Sequence, residues 1–169
     1  MRIAGFALLQ LAALLFSLRH IGSKKRGVDC LASFCAMLEQ LGGLLGRDAA
    51  PMPELIGELI PRSDGAAAVF LRALAASMDR LGGYSFCALW KNALGAAPAL
   101  SDREAAQALE ELGTVLGRYE LETQLRAVES CRAVLCRRLD AQRQSLPQTK
   151  RLTLGLSLAA AALVGIILI

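Results

Sequence analysis

The sequence predicts an all-α protein: a cytosolic bundle of about six helices flanked by an N-terminal and a C-terminal transmembrane helix. Three observations carry that expectation. Hydrophobic residues make up 54% of the 169 residues but aromatic ones only 5%. That balance, rich in Ala, Leu and Gly, suits helix packing better than strands. Apolar residues recur at spacings of three and four in successive segments, with no convincing period-two alternation. Finally, both ends are apolar runs with basic collars.

The C-terminal run, Leu152 to Ile169, is interrupted only by Thr153 and Ser157. As a helix it would span about 27 Å, close to the hydrocarbon thickness of a bilayer. A buried core helix of that length usually keeps a polar face, and this one has none. The N-terminal run, "IAGFALLQLAALLFSL", has Gln10 as its one strongly polar residue and lies at the short end of spanning length. A cleaved signal peptide is the alternative. No small-x-small site follows Leu18, however, and the cluster in "RHIGSKKR" favours a retained anchor.

Charge sets the expected orientation. Seven basic residues lie at the ends: Arg2, Arg19, Lys24, Lys25, Arg26, Lys150 and Arg151. The other 12 of the 19 share the middle with all 15 acids, so the middle carries −3 and the ends +7. Arg2 is a small contrary vote. The estimated pI near 9 therefore reflects membrane collars rather than nucleic-acid binding. The expected organisation is a membrane helix over 1–20, a basic flank over 21–27, a cytosolic bundle over 28–147, a basic linker over 148–151 and a second membrane helix over 152–169.

Within the bundle, "VDCLASFCAMLEQLGGLLG" is apolar at Leu31, Phe34, Leu38, Leu41 and Leu45, one helical face, and Gly46 can stop it. "APMPELIGELIPRSDG" holds a short helix between prolines. "AAAVFLRALAASMDRLGG" is a small-residue helix closed by Gly82-Gly83, and Ser85 can cap "FCALWKNAL". "SDRE" reads as a capping box with Ser101 as N-cap and Glu104 reaching back. The last helix, expected from about Glu120 to Leu146, carries a seam of Leu121, Leu125, Val128, Leu135, Leu139 and Leu146, interrupted by Arg132 and Gln142. Pro147 is expected to end it.

Few residues suggest chemistry. Cys30 and Cys35, like Cys131 and Cys136, are five apart, so neither pair shares a helical face. There is no C-x-x-C, and the one His, His20, sits at a membrane boundary, so no metal or cofactor is expected. The thiols read as small apolar residues of a reducing compartment. Neither a nucleophile–base set nor a phosphate loop can be assembled, so no catalytic residue is expected. One constellation stands out, "ALEELGTVLGRYELETQ", in which Leu109, Leu112, Gly113, Leu116 and Gly117 share a helical face. Gly113 and Gly117 would let another backbone approach, as a partner surface or as internal packing; alternatively Gly117 is a C-cap.

At this constellation the sequence resembles the stage III sporulation protein AB family of endospore-forming bacteria. That family carries an L-G-x-S-D-x-E-x-Q stretch, matched here by Leu116, Gly117, Glu122 and Gln124. The tail with Leu154-Gly155, Trp90 in "CALWKNAL" and "APMPELIGELI" also fit, in order, over nearly the whole chain. Tyr119 and Glu120 replace the Ser-Asp pair. Tyr119 cannot cap a helix, so the flanking helices are expected to run on with a kink rather than restart sharply.

The resemblance implies a non-enzymatic platform of the channel between mother cell and forespore, with a soluble domain similar to the inner-membrane platform protein of type II secretion. It implies partners, a secretion-type ATPase and other channel membrane proteins; the apolar ends add the bilayer, no nucleic acid is expected, and the sequence leaves open whether the chain also pairs with copies of itself. It also implies a mother-cell-side domain at the outer forespore membrane. Candidate contact residues are Gly113, Gly117, Glu120, Glu122 and Gln124. The alternative is a tail-anchored helical regulatory protein that binds amphipathic partner helices. The third class is a membrane-bound enzyme, for which one His and no cofactor fingerprint offer little.

Overall fold

The computed structural model describes the backbone of residues 2–47, 50–97, 100 and 102–168, and the side chains of 25–47, 50–97, 100 and 102–145. Among the described residues there are six α-helices and no strand: α1 (Arg2–Arg47), α2 (Met52–Leu59), α3 (Gly65–Ser77), α4 (Phe86–Ala96), α5 (Arg103–Val115) and α6 (Leu121–Leu168). Short 3₁₀ turns follow α2 and α3 at Ile60–Arg62 and Met78–Arg80. The chain divides into two compact units, one of Met1–Arg26 with Ala141–Ile169, the other of Gly27–Asp140. The side chains of both expected membrane runs, 1–20 and 152–169, lie outside the described residues.

Two boundaries differ from expectation. The α6 backbone stays helical through Pro147, where the sequence suggested a stop. A proline inside a helix deletes one hydrogen bond and crowds the preceding turn; it bends or breaks a helix according to what surrounds it. Likewise α1 is continuous across the basic stretch 21–27.

In the unit Gly27–Asp140, α1 presents the predicted face. Leu31, Phe34, Leu38, Leu41 and Leu45 are all buried, with Met37 and Leu44 beside them. The segment Lys25–Arg47 is long and apolar enough to cross a membrane by length and composition. Most of it, however, is buried among the other helices, as expected for the central helix of a bundle.

The α2 helix starts after Pro51 and buries Leu55, Ile56 and Leu59. The start of α3 is unusual. Asp64 stands at its N-cap position without a side-chain cap, and the cap comes from another helix instead. The buried Ser33 hydroxyl of α1 accepts from Ala67 N–H (3.3 Å) and donates to the Cys30 carbonyl (2.8 Å). Gly65, at φ +54°, lets the chain pass close to Ser33; a Cβ there would sit 3.4 Å from the Ser33 Cβ. Ser85 caps α4 as predicted, accepting from Ala88 N–H.

The N-cap of α5 is Asp102, one residue later than predicted. Its carboxylate accepts from Ala105 N–H (3.1 Å) and from Arg138 Nε of α6 (2.8 Å). Both Ser and Asp are good caps; Ser101 lies outside the described residues, and Asp102 also holds a guanidinium 36 residues away. Glu104 lies 3.3 Å from Arg138 Nη1. The Asp102 hydrogen bond and charge, with Glu104 beside them, raise the Arg138 pKa further. In α6, Val128, Leu135 and Leu139 are buried, and Cys131 fills the step between the first two. Leu121, expected in the seam, is instead exposed. The partly exposed Arg132 bridges Glu39 of α1 and Glu129.

Replacing Asp102 by Ala removes the α5 cap and leaves Arg138 without its buried acceptor. Stability should fall by at least about 1 kcal/mol from the cap alone, read as a lower urea midpoint at unchanged m-value.

Candidate partner-contact site

The constellation singled out in the sequence splits into a buried part and a displayed part. Gly113 is buried in α5. A Cβ there would land on the Trp90 indole, 2.6 Å from Cγ and 2.9 Å from Nε1. The absent side chain lets α4 and α5 approach, and Trp90 Nε1 donates to the Leu109 carbonyl at 2.8 Å. Trp90 stands edge-on to Phe70 (4.7 Å, 76°), and Phe34 and Phe86 extend the cluster. Thus Gly113 faces the core, where an internal-packing reading placed it.

Beyond it, α5 stops. Leu116 N–H still bonds to the Leu112 carbonyl, and the Leu116 side chain is buried. Gly117 then turns left-handed at φ +71°, and α6 begins at Leu121. The helices therefore do not run on with a kink. Gln124 spans the turn. Its Oε1 accepts from Gly117 N–H (3.0 Å), its Nε2 donates to the Tyr119 carbonyl (2.6 Å), and its own N–H donates to the Glu120 carbonyl (3.0 Å). One amide side chain thus holds both sides of the turn.

Glu120 and Glu122 are exposed on this turn; Glu122 makes a surface ion pair with Arg126 at 3.8 Å. Between and beside them stand two exposed hydrophobic side chains that sequence reasoning did not single out, Tyr119 (53% exposed) and Leu121 (42%). The expected heptad seam had assigned Leu121 to the core. Its place at the first position of a new helix, just after a left-handed glycine, is the signal that could have found it. The site is a turn on which two apolar side chains stand beside Glu120 and Glu122, with the exposed Arg118 next to Tyr119, suited to surface recognition.

Among the described residues no cluster of His, Cys, Asp and Glu could hold a metal ion. No disulfide joins any two of the cysteines Cys30, Cys35, Cys87, Cys131 and Cys136. Burial pushes the Cys131 thiol up to about 12, with the Glu111 charge adding to it.

Comparison with known proteins agrees with the architecture. The family model described as Stage III sporulation protein AB (spore_III_AB) matches residues 2–169. The chain belongs to the stage III sporulation protein AB family. A solved structure titled Stage III sporulation protein AB (SpoIIIAB) superposes with a TM-score of 0.60 at 14% identity, covering 70% of this chain and 94% of that one. At that identity the likeness concerns the fold. No curated protein matches significantly. The chain is thus a stage III sporulation protein, from a family not known for enzymes.

Gly113→Ala should destabilise by about 1–3 kcal/mol, because the added methyl must displace Trp90. The exposed Gly43 in α1 has open space at its Cβ, so Gly43→Ala should be neutral or stabilising by up to about 1 kcal/mol. Denaturant midpoints moving in the same direction for both variants would contradict the packing described.

Proposed function

We propose that this chain is a non-enzymatic membrane platform of the mother cell–forespore channel in endospore formation. Its helical body docks a secretion-type ATPase and other channel subunits. The observation that carries the reading is the family match across residues 2–169 on a chain that folds into a helical bundle. The sequence supports tethering at both ends, through 1–20 and 152–169, with the acidic middle on the cytosolic side, toward the mother cell at the outer forespore membrane.

The docking surface in this reading is the turn between α5 and α6. Tyr119 and Leu121 supply apolar contact, while Glu120 and Glu122 supply negative charge. Gly117 and Gln124 frame the turn, and Gly113 supports it from beneath by seating Trp90. A surface of this kind selects a partner that presents basic residues around an apolar recess.

Reversing both acids, Glu120→Lys with Glu122→Lys, leaves every buried contact in place. In a pull-down of the cognate ATPase by the full chain, the double variant should lose capture while keeping the wild-type circular dichroism spectrum. Capture equal to wild type would remove this turn as the docking surface.

A further inference from the structure

The packing of α1 against α6 brings together two cysteines that lie 101 residues apart in the chain. Their helices run antiparallel here, and successive layers can be followed. An added Cβ on Gly46 would lie 4.0 Å from Leu125, and one on Gly42 would lie 3.5 Å from Val128. Glu39 pairs with Arg132 at 3.4 Å. In the next layer the Cys136 thiol donates to the Cys35 sulfur at 3.5 Å.

We propose that Cys35 and Cys136 are a redox-active dithiol, which closes to a disulfide joining α1 to α6 by exchange with a low-molecular-weight disulfide. A disulfide needs its sulfurs about 2.05 Å apart, so they must approach by only ~1.5 Å. The two thiols are also unequal in a useful way. Cys136 is partly exposed and Cys35 is buried. Burial, the hydrogen bond from Cys136 and the nearby Cys136 and Cys131 sulfurs push the Cys35 thiol up to about 12, against the opposing charge of Arg132. Cys136 is therefore the entry point and Cys35 the resolving thiol.

The exchange balances as follows. Cys136 loses its proton to solvent and attacks one sulfur of the small disulfide, whose S–S bond breaks; the released thiolate takes up a proton. Cys35 then loses its proton and attacks the Cys136 sulfur, expelling the second small thiol. The two protein thiols are oxidised by two electrons, and the small disulfide is reduced to two thiols. In a reducing compartment the pair rests as dithiol and closes only when the thiol pool is oxidised.

The test treats the full-length protein in detergent micelles with glutathione disulfide, alkylates the remaining thiols and maps peptides without reduction. A Cys35–Cys136 linked peptide is expected. Dithiothreitol should reverse it, and its formation should raise the thermal midpoint by roughly 10 °C. Cys35→Ser should stop at glutathione held on Cys136, and Cys136→Ser should yield neither product; Cys35→Ala replaces the first variant if its circular dichroism spectrum departs from wild type. Glutathione persisting on Cys136 of the wild-type protein, or linkage appearing only in urea, would overturn the proposal.

Discussion

The bundle depends on one close approach, the Trp90 indole lying where a side chain on Gly113 would have been. Three things follow from that contact. The largest aromatic side chain of the protein leaves water without stranding its N–H, because Nε1 finds the Leu109 carbonyl. It joins Phe34, Phe70 and Phe86, so α1, α3 and α4 meet at one aromatic cluster with α5 against its edge. It also fixes α5 in rotation, which directs Leu116 inward and places the following glycine at the surface. Among the described residues, the ring contacts of Phe34, Phe70, Phe86 and Trp90 all fall in this cluster.

The second constraint is polar satisfaction between distant segments. Ser33 caps a helix that begins more than thirty residues later, and Asp102 caps its own helix while holding Arg138. Each leaves few alternatives for the register of the helices involved, since a slip would strand a buried donor or acceptor. Gln124 does the same at the surface, where it makes a loop of ordinary sequence into a fixed shape. A partner binding that shape would lose less conformational entropy than one ordering a flexible loop. This links the stability of the core to the proposed docking role.

Much of this was legible in the sequence, because periodicity reports burial directly. The five apolar residues of α1 are buried, the proline-bounded short helix is present, and Ser85 caps where expected. What escaped was non-local. Ser101 and Asp102 are equally plausible caps until Arg138 arrives from another helix. Gly113 and Gly117 share a spacing but not a role, since one faces Trp90 and the other has φ +71°. The absent Ser-Asp pair suggested continuous helices, because a glutamine clamping from seven residues away is not a local capping signal. Cysteine spacing within one helix likewise could not show that Cys35 would meet Cys136.

Recognition at this surface requires the core to hold the turn between α5 and α6 in a fixed shape rather than as a mobile loop. Amide hydrogen exchange at Gly117 in the full-length protein tests it most directly, since that N–H is bonded only through the Gln124 side chain among the contacts described. Exchange should be slowed by on the order of tenfold or more relative to an unstructured peptide, with the protection lost in Gln124→Ala while α5 core amides stay protected. Exchange of the wild-type Gly117 amide at the unstructured rate would contradict it.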